Sequence, residues 1–203
     1  MEFFSYAITD LSFANEAGFE RKFTRLREAD FVLLRHKSAP NYSELARKFA
    51  SLRGEFFKPT SKLLLHNDFL LSLDLGLDGV HFSGENLQNI PLAKEAAARF
   101  RLKNASKTQG AAEKFYIVYS AHTPQQIRRA VSLGADFCTF SPVFFTPNKG
   151  AAMGVEAFGQ AAQEFALIAL GGVDDAEKIS LVRQSGAAGF AAIRYFLQPL
   201  KEC

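Results

Sequence analysis

Eight short runs of the chain are apolar nearly throughout. They are FFSYAIT (3–9), FVLLRHK (31–37), KLLLHND (62–68) and GVHF (79–82), then FYIVYSAH (115–122), FCTFSPVF (137–144), FALIALGG (165–172) and GFAAIRYF (189–196). Runs this short and this uniform do not alternate a wet face with a dry one, so they predict strands buried on both sides. Several gaps between them carry helix signals. NYSELARKFASLRG offers Asn41 and Glu44 as a capping box, Leu45, Phe49 and Leu52 at helical spacing, and Gly54 as a stop. TPQQIRRAVSLG is stronger: Thr123 caps, Pro124 suits the first helical position, Gln126 completes the box and Gly134 ends the helix. DDAEKISLVRQSG repeats the scheme with Asp174, Glu177, Ile179, Val182 and Gly186.

Buried strands alternating with amphipathic helices imply a parallel sheet, and eight such units without a linker favour a closed α/β barrel, a single (β/α)8 TIM barrel over residues 1–203. A doubly wound open sheet is the alternative. Against it, AITDLSFANEAG follows the first strand where a dinucleotide-binding fold would place Gly-x-Gly-x-x-Gly. The polar stretch RLKNASKTQGAAEK (101–114) reads as a solvated loop after a short helix near 92–100.

Composition narrows the function. The 203 residues are 48% hydrophobic with a net charge of +3, and acids and bases are interleaved rather than gathered into the basic stripe that nucleic acid requires. No stretch approaches the roughly eighteen apolar residues of a membrane span, and MEFFSYAITD has no secretory signal pattern, so the expectation is a cytoplasmic protein with no membrane or nucleic-acid partner. Cys138 and Cys203 supply neither a disulfide framework nor metal-ligand spacing. Self-association into a homo-oligomer is left open.

In a barrel of this kind the active face lies at the C-terminal ends of the strands. Arg35, His36 and Lys37 end the second run; His66, Asn67 and Asp68 the third; His81 the fourth; Ser120 and His122 the fifth; Lys149 follows the sixth. All four histidines of the chain are in this set. A four-histidine metal centre is disfavoured, because strand alternation turns His36 away from Arg35 and Lys37. Arg35, Lys37 and Lys149 suit an anion of several charges, with Asp68 able to hold Mg²⁺ against it, and a pyrophosphate fits that description. A second anion site is expected at the last two strands, where Gly171 and Gly172 permit close backbone approach and Ala191 and Ala192 are small.

In order along the chain, YAITD, LLRHK, HNDFLLSLDLGLDGVHFSGENL, SAHTPQQIRRAVSLGADF, SPVFFTPNKGAAMG and LGGV resemble the motifs of thiamine phosphate synthase and its relatives, the TenI-type thiazole tautomerases. The resemblance implies a transferase that joins hydroxymethylpyrimidine pyrophosphate to hydroxyethylthiazole phosphate and releases pyrophosphate, with Mg²⁺ as cofactor and phosphorylated small molecules as partners. It also implies that Arg35, Lys37, Asn67, Ser120 and Lys149 hold the pyrophosphate, that Asp68 and the position of Asn86 serve the metal, and that Gly172 and the backbone near Ala192 hold the thiazole phosphate. Thr146 and Lys149 are then delivered to the active face, where a cation stabilises charge growing on the departing pyrophosphate.

The chain departs from the family pattern at four places. Leu33 replaces a Gln, Phe69 an Arg, Asn86 a metal-binding Asp, and Ser141-Pro142 a Gly-Pro. The tautomerases carry a His where Pro142 stands, so His122 or His81 would have to move the proton in that reaction. Three functions therefore remain open: the synthase, a thiazole phosphate tautomerase needing no metal, and a non-catalytic binder of a thiamine precursor phosphate.

Overall fold

The apolar runs form the strands β1 Phe4–Ile8, β2 Phe31–Leu34, β3 Lys62–His66, β4 Gly79–Phe82, β5 Tyr116–Ala121, β6 Phe137–Phe140, β7 Leu167–Leu170 and β8 Gly189–Ala192 in a computed structural model that describes residues 2–9, 25–36, 39–104 and 114–197. Each strand pairs in parallel with its neighbour in chain order and β8 returns to β1, closing an eight-stranded barrel. The open-sheet alternative is thereby set aside. All but one of the runs overshoot their strand at the C-terminal end. The run at 31–37 leaves the ladder after Leu34, and that at 137–144 after Phe140. The residues past each strand end turn into the βα loops, so the polar groups noted above rise out of the sheet.

Alternation along the strands separates two cores. Phe4, Tyr6, Ile8, Phe31, Leu33, Leu64, Val118, Phe137, Ile168 and Ala191 pack together inside the barrel, while the intervening Ala7, Val32, Leu34, Leu63 and Leu65 face outward and meet the helices. The N-terminal end of the lumen is filled by aromatic rings. Phe4 lies 4.8 Å from Phe31 and 5.0 Å from Phe137 between ring centroids, and Tyr116 lies 5.1 Å from Phe31.

The same end is tied by three aspartates, each immediately before an even-numbered strand and each accepting a backbone N–H from the preceding strand. Asp30 accepts from Ser5 N at 2.8 Å, Asp78 from Leu63 N at 2.7 Å and Asp136 from Ile117 N at 2.8 Å. Each also holds a cation: Lys58, Arg53 and Lys114 respectively, all at 2.7 Å. Burial works against ionisation of Asp30, but Lys58 and the bonds from Ser5 outweigh it and leave its pKa below the ordinary value. Ala188 occupies the corresponding position before β8.

The helices are α1 Tyr42–Ser51, α2 Phe69–Asp74, α3 Asn89–Asn104, α4 Pro124–Leu133, α5 Val155–Ala162, α6 Ala176–Gln184 and the short α7 Arg194–Leu197. For α4 every local signal is realised: Thr123 and Gln126 form the reciprocal box and Gly134 closes the helix at φ 107°. Other expectations need correction. Asn41 makes no cap bond to the backbone of α1; its side-chain amide donates to the Glu44 carboxylate at 3.3 Å. Asp175, not Asp174, caps α6, accepting from Lys178 N at 2.8 Å. The helix expected near 92–100 extends over Asn89–Asn104, so the start of the expected 101–114 loop is helical, while 105–113 lie outside the described residues. Lys37 and Cys203 also lie outside them. Cys138 is fully buried, and burial pushes its thiol up to about 12.

Candidate active site

A cavity of about 900 Å³ opens among the C-terminal ends of the strands and the loops that follow them. Arg35, Ser120, His122, Thr146, Lys149, Gly171, Gly172 and Ala192, eight of the residues singled out in the sequence, all line it. Arg35 is half-buried just past β2, where its backbone N–H donates to Thr9 Oγ1 at 3.0 Å. Burial lowers its pKa, yet a guanidinium keeps its charge at any physiological pH. Lys149 is exposed at the end of a turn, with its N–H donating to Thr146 O at 3.2 Å and Asn148 in the left-handed region at φ 60°. Neither cation has an acidic partner among the described residues.

The loop that carries Lys149 is held by the end of β7. Val143 N donates to Leu170 O and Phe144 N to Gly171 O, both at 3.0 Å. Gly171 and Gly172 have φ of 97° and 70°, which only glycine adopts freely. A Cβ on Gly171 would fall 2.8 Å from Pro142 Cα, and one on Gly172 would fall 2.7 Å from Phe144 Cβ and 2.8 Å from Phe145 O. The missing side chains therefore admit the Lys149 loop. The same pair lines the cavity beside Val173, Ala192 and Ile193. Arg194 and Asp174 complete that wall. Asp174 is held by Lys178 at 2.6 Å and by Arg194 at 3.3 Å, so the acid is outnumbered by cations. Arg194 was missed in the sequence, although it lies within the eighth run.

At the floor of the cavity, which it helps to line, His81 is buried in the lumen. Its Nδ1 lies 2.7 Å from the Tyr6 hydroxyl and its Nε2 lies 2.8 Å from Ser120 Oγ. Burial, followed by the nearby His66 and Arg35, lowers its pKa to about 3, so it is neutral at any working pH. Burial also raises the Tyr6 phenol well above its ordinary value. With both nitrogens engaged, His81 is not free to shuttle a proton. His122 is exposed, with Nδ1 3.1 Å from Ser141 O, which makes Nδ1 the donor and leaves Nε2 without a partner among the described residues. Tyr6 was not singled out in the sequence beyond its place in the first run and in YAITD.

A side chamber of about 350 Å³ adjoins the main cavity and shares His66, Ser83 and Glu85 with it. His36, Asn67 and Asn86 line the chamber, as the opposite alternation of His36 and Arg35 anticipates. Asn67, at φ 63°, links the β3 and β4 loops: its Oδ1 accepts from Ser83 N at 2.8 Å and its amide donates to Ser83 Oγ at 3.1 Å. Asn86 donates to the same Ser83 Oγ at 3.1 Å and accepts from Asn89 at 3.2 Å. Asp68 lines neither space and caps α2, with Oδ1 accepting from Leu71 N at 2.9 Å. Phe69, at the departure from the family Arg, packs on Phe82 at 6.2 Å between ring centroids. Among the described residues no group of three or more His, Cys, Asp or Glu side chains stands ready to hold a metal. The expected pair offers the second oxygen of Asp68 and the amide oxygen of Asn86. That set suits Mg²⁺ only when the ion keeps water and shares phosphate oxygens brought by a substrate.

A (β/α)8 barrel whose open end gathers unpaired cations beside a glycine-bounded wall has the layout at which barrels commonly bind phosphate. Comparison places it further. Residues 5–196 match the sequence profile of TMP-TENI, the thiamine monophosphate synthase family, and the chain belongs to that family. A Geobacter sulfurreducens relative is 33% identical over 169 residues, spanning 80% of this chain and 70% of its own. The thiamine-phosphate synthase of Syntrophomonas wolfei is 28% identical over 169 residues, 80% of this chain and 72% of that protein. Among solved structures, a thiamine phosphate pyrophosphorylase from Pyrococcus furiosus superposes with a TM-score of 0.72 at 21% identity, covering 98% of this chain and 94% of its own, which supports the fold. No helix among the described residues is long and apolar enough to cross a membrane.

Proposed function

We propose that the protein is a thiamine phosphate synthase that joins hydroxymethylpyrimidine pyrophosphate to hydroxyethylthiazole phosphate. The observation that carries this reading is the layout of one cavity: Arg35, Ser120 and Lys149 line it together with Gly171, Gly172 and Ala192, so two phosphorylated substrates can meet there. The bond between the pyrimidine methylene carbon and the pyrophosphate oxygen breaks, its electron pair leaving with pyrophosphate. The thiazole nitrogen then donates its lone pair to that carbon. Arg35 and Lys149 stabilise the negative charge that grows on the leaving group, a role worth roughly 3 kcal/mol for one preorganised donor. Mg²⁺, held by Asp68 and Asn86 together with the diphosphate, would supply further charge neutralisation. Gly172 and the backbone near Ala192 hold the thiazole phosphate, with Arg194 close to the same wall.

A second reading, thiazole phosphate tautomerase, is favoured by one observation. His122 stands against Ser141, beside the position where the tautomerases carry their His, with Nε2 open. Incubation of the purified protein with both substrates, with and without Mg²⁺, separates the two. Thiamine phosphate and pyrophosphate formed in equal amounts only with Mg²⁺ support the synthase. Isomerisation of a thiazole phosphate without metal, and no coupled product, would replace it with the tautomerase.

A further inference from the structure

We propose that Tyr6 and His81 are positioning residues that fix the direction of the Ser120 hydroxyl, so that it presents its hydrogen to an anionic oxygen in the main cavity. The proposal rests on the diphosphate reading of that cavity and adds two residues to it. Tyr6 is fully buried in the lumen, and its hydroxyl has Nδ1 of His81, at 2.7 Å, as its one hydrogen-bond partner among the described residues. A buried phenol needs an acceptor, so Tyr6 donates and Nδ1 carries no hydrogen. A neutral imidazole then carries its hydrogen on Nε2, which donates to Ser120 Oγ at 2.8 Å. The depressed pKa of His81 agrees with that neutral state.

The reverse chain, with Ser120 donating to Nε2 and Nδ1–H to Tyr6, would strand the phenol hydrogen in the lumen without an acceptor, a costly arrangement. Ser120 is therefore fixed as an acceptor from below, and its single hydrogen turns elsewhere. Thr139, its register neighbour on β6, does not take it, since Thr139 Oγ1 is buried without a hydrogen-bond partner. The direction left is the cavity that Ser120 lines. A donor aimed before the anion arrives needs no reorganisation when it binds.

Two measurements test this. Imidazole ¹⁵N NMR of wild-type protein should show His81 as the Nε2–H tautomer from pH 5 to 8, with Tyr6→Phe shifting it toward a mixture. An Nδ1–H tautomer, or an imidazolium titrating in that range, would overturn the relay. Calorimetric titration with inorganic pyrophosphate and Mg²⁺ should show about tenfold weaker binding for Tyr6→Phe and for Ser120→Ala, as expected for one hydrogen bond to a charged group. The double variant should be no weaker than Ser120→Ala alone, because Tyr6 acts through Ser120; losses that multiply would refute the proposal. His81→Gln, whose amide still donates toward Ser120, should retain more affinity than His81→Leu at matched thermal stability, and equal affinities would count against it. If wild-type protein binds no pyrophosphate, the diphosphate reading fails, and the tautomer measurement alone decides the relay.

Discussion

At the N-terminal end of the barrel the acids that touch the sheet are all engaged: Asp30, Asp78 and Asp136 each hold a strand N–H and a cation. At the C-terminal end the arrangement is inverted: Arg35 and Lys149 line a cavity and neither is paired with an acid among the described residues, although Glu85 and Asp174 line it too. The same residue types thus do opposite work. Satisfied pairs close the fold below, and unsatisfied cations above leave charge to be met by a ligand. The His81 chain lies between, anchored in the lumen and ending on the cavity wall. Stability and chemistry should therefore be separable by mutation along the barrel axis.

The largest effect is expected below. Asp78 is buried and serves Leu63 N and Arg53 at once, so Asp78→Ala leaves an amide and a guanidinium without their partner. The loss should be about 3 kcal/mol of stability, read as a fall of roughly 10 °C in Tm, while kcat of the folded fraction stays put. A large drop in kcat at unchanged Tm would erase the division between the ends.

Next comes the middle of the barrel. An unfolded histidine titrates near 6.5, as a general value, whereas His81 stays neutral down to about 3. Between those values the unfolded chain binds a proton that the folded chain does not, so stability falls as pH drops from about 6.5 toward 3, by up to about 1.4 kcal/mol per pH unit. Denaturant unfolding across that range should be flatter for His81→Gln than for wild type, and parallel curves would show that His81 is not held neutral.

Gly172→Ala sharpens the comparison at the top. The new Cβ strikes Phe144 and Phe145, so it should displace the loop bearing Lys149 as well as disturb the phosphate wall. We expect about 1 to 2 kcal/mol of destabilisation from the positive φ and the contact, with pyrophosphate and thiazole phosphate affinities both reduced. A loss confined to the thiazole phosphate would mean that the loop does not move.

The smallest effect concerns the metal. Mg²⁺ prefers a charged oxygen to an amide, so Asn86→Asp should lower the half-saturating Mg²⁺ concentration in a synthase assay a few-fold, and Asp68→Asn should raise it by more. Superimposable titrations for Asn86→Asp would leave Asn86 as the residue that joins Ser83 to Asn89.

What could be read from the sequence was what local pattern encodes. The eight strands and α4 are legible because uniform apolar runs and Thr123–Pro124–Gln126–Gly134 act within a few residues. The gathering of Arg35, Ser120, Lys149 and Gly171 follows from strand ends in a barrel, without any contact being known. One miss is a competition that local pattern does not decide: Asp174 went to Lys178 and Arg194 while Asp175 took the cap. Asp68 looked free to serve a metal, yet one oxygen caps a helix that the sequence did not mark. The three aspartate ties were visible only as an Asp before each of three even strands. Their partners lie 15 to 25 residues away, so register had to be known first.

The central claim, that the open end stabilises a departing pyrophosphate apart from the wall that holds the second substrate, is tested most directly by steady-state kinetics of Lys149→Ala. The account predicts that kcat falls by about 10² or more while the affinity for hydroxyethylthiazole phosphate barely changes, because one preorganised charge is lost from the transition state and nothing from the other wall. An equal loss of both, or a kcat within a few-fold of wild type, would contradict it.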